Sequence, residues 1–72
     1  MNIVEGTYFR NVHMPRHGFT IKKVDKENNK LSVLIEKDGD PNSYWQEDDW
    51  NLAHTEAGFE RGEYFVISVP GS

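Results

Sequence analysis

Three consecutive carboxylates stand between large aromatic residues in the segment YWQEDDW, residues 44–50. Glu47, Asp48 and Asp49 could recruit Lys or Arg side chains from a partner, and neighbouring aromatic rings supply rigid contact area of the kind found at binding hot spots. The same carboxylates would repel a phosphate backbone. The segment therefore predicts a surface that binds a basic region of another protein. The predicted binding residues are Tyr44, Trp45, Glu47, Asp48, Asp49 and Trp50.

A purely structural interpretation of this segment is also open. Asp48 or Asp49 could cap a following helix, because a carboxylate accepts hydrogen bonds from the free N–H groups at a helix start and suits the positive end of the helix dipole. Trp45 and Trp50 would then be core residues on either side of the junction. Only the exposure of the two indoles separates this interpretation from a binding surface.

Basic residues are concentrated in the first half of the chain and indicate a different partner. Residues 1–35 carry a net charge of +3, whereas residues 36–72 carry −7, for a total of −4. Small β domains can stack bases on aromatic rings along a basic groove, which makes nucleic acid the alternative ligand. The acidic second half and a pI near 5.2 oppose it. The alternative nucleic-acid-binding residues are Tyr8, Arg10, Arg16, Lys22 and Lys23.

Metal and catalytic chemistry find little support in the residue types. The chain has no cysteine, which excludes thiolate zinc sites, disulfides and a Cys nucleophile. The run DGDPN, residues 38–42, resembles the opening of a calcium loop, but Ser43 stands where that loop requires glycine. No phosphate-binding loop or nucleophile-elbow motif occurs. We expect a non-catalytic protein without a metal or cofactor.

Apolar alternation and turn residues predict a chain built mostly of short strands. Phe19 and Ile21 share one face of a strand, and Val24 falls on the wrong parity, which predicts a bulge or a two-sided position there. KENNK, residues 26–30, predicts a tight hairpin turn because Asn tolerates positive φ. HMPRHG, residues 13–18, is predicted to be a loop. The predicted strands are 7–12, 19–24, 31–36, 44–46 and 63–69.

One short helix is predicted near residues 49–57. Trp50, Ala53 and Ala57 recur at helical spacing and predict its buried face. Gly58 stands where a left-handed residue commonly ends a helix. In the last strand, Phe65, Ile67 and Val69 share one face.

The order of these elements is similar, at fold level, to SH3-like small barrels: an early Gly-aromatic strand, a long hairpin, an aromatic-acidic segment and a closing strand. The sequence therefore predicts a mostly β domain, a partly open barrel of about five short strands with one short helix. An α+β fold, with one helix on a four-stranded antiparallel sheet, is the alternative.

We expect one domain over residues 1–72, with 70–72 as a frayed tail, because no linker divides the chain. No stretch approaches the roughly 20 apolar residues of a membrane span, and the first residues do not resemble a signal peptide. A cytoplasmic location and no membrane partner are therefore expected. Function is predicted as a protein-binding module or a small accessory or inhibitory protein. A monomer or a weak dimer is expected, since exposed sheet edges can pair.

Overall fold

The computed structural model describes residues 3–36 and 44–71, and for residues 44–46 it describes the backbone only. The predicted turn and calcium-like run at 38–42, together with Ser72 of the predicted tail, lie outside these residues. The elements are β1 (Tyr8–Asn11), β2 (Met14–Asp25), β3 (Lys30–Glu36), β4 (Tyr44–Asn51), α1 (Leu52–Glu60) and β5 (Tyr64–Ser68).

The five strands form one open antiparallel sheet in the order β4-β3-β2-β1-β5. This confirms the prediction of a mostly β domain with five strands and one short helix. The alternative with four strands is wrong, because β4 and β5 both join the sheet. β4 and β5 are its two edges, and within residues 3–36 and 44–71 each of them pairs with one neighbouring strand. The likeness to an SH3-like barrel stays a prediction.

The predicted loop at residues 13–18 is wrong, since β2 begins at Met14 and runs for 12 residues. Val12 and His13 alone turn the chain, with Asn11 paired to Met14 and the His13 N–H donating to the Asn11 side chain at 2.7 Å. Pro15 is tolerated so close to the strand's start, where a missing donor removes little of the ladder. Its carbonyl accepts a hydrogen bond from Arg10 Nη1 at 2.9 Å.

The long hairpin of β2 and β3 is confirmed, and so is the irregularity predicted near Val24. The register shifts between Ile21 and Lys23, which leaves Lys22 as the extra residue. The shift returns Val24 to the face that packs against the core. Asn29 adopts a φ of 55° in the turn, as expected for a residue that tolerates the left-handed region.

Aromatic rings carry much of the core, which lies on the face of the sheet that α1 covers. Phe9 is fully buried and contacts four other rings, with centroid distances from 4.9 Å to Phe59 to 6.1 Å to Trp50. Burial of rings this large compensates for a short chain with few aliphatic residues. The aromatic cluster consists of Phe9, Phe19, Trp50, Phe59 and Tyr64.

The helix begins three residues later than predicted, because β4 continues through the acidic residues. Asn51 is the N-cap: its Oδ1 accepts from the His54 N–H at 2.9 Å. The prediction that Asp48 or Asp49 caps the helix is therefore wrong, since both belong to β4. With the helix shifted, its buried residues are Leu52, Thr55 and Gly58, which replace the predicted face.

Gly58 does not end the helix as predicted; Gly62 is the left-handed glycine after it. Gly58 lies inside α1, where a Cβ would stand 2.8 Å from Tyr64 Cδ2, so its missing side chain admits the Tyr64 ring. The left-handed residue is Gly62, with φ 79°, directly after the helix. In the described part of the chain, no helix is long and apolar enough to cross a membrane.

Candidate functional site

The acidic residues of β4 lie on an edge strand and point to both faces of the sheet. Asp48 pairs with Val33, and Trp50 pairs with Leu31, so these two residues belong to the core-facing side. Glu47 and Asp49 have the opposite parity, and all three carboxylate residues are exposed. The three negative charges therefore surround the strand edge instead of forming a patch on one face.

One backbone donor of this edge is engaged by a side chain of the same strand. The Asp49 N–H donates to Asp48 Oδ1 at 3.0 Å. An edge strand that is protected in this way, and that also carries like charges, resists pairing with another copy of itself.

Trp50 supports the acidic edge from the core side. Its ring is half-buried and lies 5.2 Å from the Phe19 centroid at a tilt of 56°, and 6.1 Å from Tyr64. Trp50 is thus neither fully enclosed nor fully exposed, and it anchors the strand that carries the carboxylates.

Tyr64 is the neighbouring ring of this cluster. Burial raises the pKa of its hydroxyl, and the nearby Glu63 carboxylate acts in the same direction.

Two further residues of the predicted surface are described only in part. Tyr44 and Trp45 belong to β4, where Tyr44 pairs with Glu36 across a register shift. Their side chains lie outside the described portion of the structure. The described part of the predicted surface is therefore Glu47, Asp48, Asp49 and Trp50.

Positive charge from the first half of the chain reaches the same region. Lys23 pairs with Ser32, and Ser32 pairs with Asp49, so the lysine and the carboxylate flank Ser32 in one row across three strands. A shallow depression of about 200 Å³ is lined by both of them together with Lys30. The uneven charge along the sequence thus becomes complementary charge distributed over β2, β3 and β4. Asp49 therefore has both positive and negative side chains around it, whereas Glu47 and Asp48 do not line this depression.

The alternative nucleic-acid set separates into two groups. Tyr8 and Arg10 lie together on β1, with the guanidinium 5.9 Å from the Tyr8 ring centroid. Arg10 donates to the Pro15 carbonyl and to the Tyr8 hydroxyl, and its Nε is buried with no hydrogen-bond partner among the residues that the structure describes. The Tyr8 hydroxyl lies so close to Gly18 that a Cβ there would overlap it. These contacts engage both side chains within the fold.

The remaining basic residues of that set lie along β2. Arg16 stands near the start of the strand, before Gly18, and Lys22 and Lys23 stand at the bulge toward its other end. All three are exposed. Tyr8 of the neighbouring strand β1 pairs with Thr20, so it stands between the position of Arg16 and that of Lys22 and Lys23.

Among the residues that the structure describes, no group of three or more His, Asp or Glu side chains could hold a metal ion. This observation does not bear on the calcium-like run, which lies in the part left undescribed. The acidic edge itself spreads its carboxylates over two faces, which is unsuited to a compact oxygen cage.

Two features of functional interest were not predicted from the sequence. The first is that Phe65 and Ile67 of β5 are large apolar residues whose exposed fractions are 40% and 51%. The prediction that Phe65, Ile67 and Val69 share one face is wrong, because the register of β1 and β5 shifts between Tyr8 and Phe9 and leaves Ile67 as an extra residue. Asn29, predicted solely as a turn residue, also accepts a hydrogen bond from the Ala53 N–H of α1 at 3.0 Å.

Comparison with protein-family models, with curated proteins and with solved structures finds no significant match to this chain.

Proposed function

We propose that this domain is a non-catalytic protein-binding module that takes up an extended, basic segment of another protein along β4. The acceptor is the open side of the strand, and its selectivity comes from three consecutive carboxylates. An accessory or inhibitory role would follow if the bound segment is one that the partner needs for its own activity.

The observation that carries the proposal is the position of Glu47, Asp48 and Asp49 on an edge strand. A peptide that joins a sheet edge gains main-chain hydrogen bonds, and its side chains then lie opposite those of the edge strand on each face. Since the acidic residues alternate between faces, the matching peptide carries three consecutive basic residues. A peptide with basic residues at every second position would satisfy one face only.

Trp50 contributes stiffness to the proposed acceptor. Its ring packs against Phe9 and Phe19, which holds the end of β4 against the core. A strand that is already ordered loses less conformational entropy on binding than a flexible one. The acidic residues give rate and specificity, because charge steers the encounter of the two surfaces.

The test uses a fluorescent peptide with a central Lys-Arg-Lys run between Val and Thr residues. We expect the anisotropy of this peptide to rise with added protein and the affinity to fall with salt. Neutralising Asp48 and Asp49 together, as Asn, should weaken binding by about tenfold or more, which corresponds to about 1.4 kcal/mol or more. The structural reason is that both faces of the strand lose a charge.

Two controls make the result specific. Glu60→Gln removes one exposed carboxylate from α1, away from β4, and should leave binding unchanged. A peptide of equal charge with Lys and Arg at every second position should bind more weakly than the consecutive run. Equal binding of the two peptides, or no loss in the Asp48→Asn, Asp49→Asn variant, would remove β4 as the acceptor.

Nucleic acid remains the alternative ligand from the sequence, and a labelled single-stranded oligonucleotide in the same assay tests it. Binding that is lost in Lys22→Glu, Lys23→Glu and kept in the β4 variant would favour it. The SH3-like architecture and the cytoplasmic location also remain part of this proposal. The strand order, and a helix placed directly before β5, support the architecture.

A further inference from the structure

A cleft lies between residues 3–5 and residues 24–27, where β2 ends and the turn to β3 begins. Its volume is about 620 Å³, within the range of roughly 300–1,000 Å³ that small-molecule sites occupy. No acidic residue of β4 lines it. The cleft is therefore separate from the strand edge proposed to bind a peptide.

One part of the cleft is apolar. Ile3 belongs to the hydrophobic core and Val24 packs against that core, so the fold holds both side chains in place. Val4 also lines the cleft and is 44% exposed. A ligand with an apolar body would cover Val4, which removes apolar surface of both the protein and the ligand from water.

The charged part of the cleft is acidic. Glu5, Asp25 and Glu27 supply three carboxylates against the single ammonium group of Lys26. The Asp25 carboxylate accepts hydrogen bonds from the Asn28 backbone and side chain, which favour its ionised form. The side chains of Glu5 and Glu27 form no hydrogen bond or ion pair with other residues that the structure describes, so their charge is available to a ligand.

We propose that this cleft binds a small organic cation, an amine carried on an apolar body. The body lies against Ile3, Val4 and Val24, and the ammonium group lies among the carboxylates. An anion of the same shape is repelled, and a neutral molecule gains from apolar burial alone. Apolar surface and negative charge in one cleft therefore select one class of ligand.

The main chain beside the cleft favours a small molecule over a peptide strand. The Val4 carbonyl accepts a hydrogen bond from the Thr7 N–H at 3.2 Å, and the Lys26 carbonyl accepts one from the Asn29 N–H at 3.4 Å. A peptide that binds as a strand relies on free main-chain groups. A ligand held by its apolar body and its charge needs none of them.

NMR titration of the ¹⁵N-labelled full chain with three probes that share one body tests the proposal. The probes are 4-phenylbutylamine, 4-phenylbutanol and 4-phenylbutyrate, which are cationic, neutral and anionic at neutral pH. We expect the amine to shift the backbone amide signals of residues 4–5 and 24–27. It should bind about fivefold more tightly than the alcohol, and the anion should bind most weakly.

Two double variants test the charge. Glu5→Gln, Glu27→Gln removes two carboxylates from the cleft and should lower the affinity for the amine toward that for the alcohol. Binding of the alcohol should not change. Glu56→Gln, Glu60→Gln is the matched control, because it removes the same charge from α1 and neither residue lines the cleft. It should bind all three probes like the unchanged protein.

Two valine variants test the apolar part. Val4→Thr should weaken binding of both the amine and the alcohol by about twofold or more, since Thr keeps the shape and removes apolar surface. Val12→Thr is the matched control: the two valines are 44% and 46% exposed, and Val12 does not line the cleft. It should leave binding of both probes unchanged.

Equal binding of the three probes overturns the proposal, as does an unchanged affinity for the amine in Glu5→Gln, Glu27→Gln. The absence of shifts in these amide signals at about 10 mM amine overturns it as well. If the Lys-Arg-Lys peptide shifts the same signals at a lower concentration than the amine does, the cleft belongs to a protein partner and the small-molecule proposal fails. Peptide binding at β4 depends on Asp48 and Asp49, which do not line the cleft, so the two proposals can fail independently.

Discussion

Asn29 and Asn51 lie 22 residues apart and are joined by a hydrogen bond of 3.2 Å from Asn29 Nδ2 to Asn51 Oδ1. Each side chain also caps the helix: Asn29 accepts from the Ala53 N–H, and Asn51 from the His54 N–H. The Asn29 carbonyl in turn accepts from the Leu52 N–H at 2.9 Å. The β2–β3 turn thereby satisfies two of the helix's free donors and fixes where β4 ends.

Asn29→Ala is expected to destabilise the protein by about 2–3 kcal/mol. The side-chain cap is worth roughly 1 kcal/mol, and the φ of 55° strains a residue with a Cβ by roughly another 1–2 kcal/mol. Asn29→Gly removes the cap but keeps the turn conformation, so its loss should be smaller. Urea unfolding of both variants measures the two contributions. Equal losses for Ala and Gly would mean that the left-handed turn contributes nothing.

Gly58→Ala is expected to destabilise the protein, although Ala is the better helix residue. Replacing Gly by Ala inside a helix ordinarily stabilises by about 1 kcal/mol. Here the added Cβ meets the Tyr64 ring, which is held by Phe9 and Phe59, and overpacking of this kind costs about 1–3 kcal/mol. Thermal unfolding measures the net sign.

Ala53→Gly supplies the reference for helix propensity, because Ala53 is exposed on the same helix. It should cost up to about 1 kcal/mol, since Ala53 is the second residue of α1, and it should leave ring packing unchanged. A Gly58→Ala variant more stable than the unchanged protein would show that Tyr64 moves aside freely.

The sequence could predict five strands and the long hairpin because they follow from alternation, residue type and turn residues. Helix capping could not be predicted, since Asp48, Asp49 and Asn51 are all good cap residues within four positions. The choice depends on Asn29, which no local pattern connects to the helix. The strand at Pro15 was missed for a similar reason: Gly18 pairs with both Arg10 and Glu36, and long-range pairing outweighs the local preference for a loop.

The candidate site was predicted only in part from the sequence. Its acidic residues were identified by composition, but their distribution over two faces follows from the β4–β3 register, which places Asp48 opposite Val33. The exposure of Phe65 and Ile67 was missed because the register shift that places them depends on pairing with β1, which has no local signal in the sequence. Edge position is a property of sheet order, and sheet order is set by the whole chain.

The Asp25 carboxylate is held ionised by the turn that follows it. Hydrogen bonds from the Asn28 side chain and backbone, the former at 2.7 Å, hold the pKa of Asp25 below its ordinary value of 3.8. A lowered folded-state pKa stabilises the fold above that ordinary value, and the contribution is lost as pH falls through the folded pKa. The difference in stability between the unchanged protein and Asp25→Asn should therefore shrink in acid.

Carboxyl titration by NMR checks the cause directly. Asn28→Ala should raise the pKa of Asp25 toward 3.8, because the side-chain hydrogen bond is the larger influence. The pKa of Glu63, lowered mainly by its hydrogen bond with Arg61, should not change in that variant. An unchanged pKa for Asp25 would assign the shift to backbone groups alone.

Trp50 links the proposed acceptor strand to the core, and its removal should affect stability more than charge recognition. Trp50→Ala is expected to destabilise the protein by about 2–4 kcal/mol, below the loss for a fully enclosed ring because Trp50 is half-buried. Trp50→Phe keeps a ring beside Phe19 and should cost less. In a Trp45→Phe background, the Trp50 fluorescence should be partly shielded from iodide, and full quenching would show that the ring stands free of the aromatic cluster.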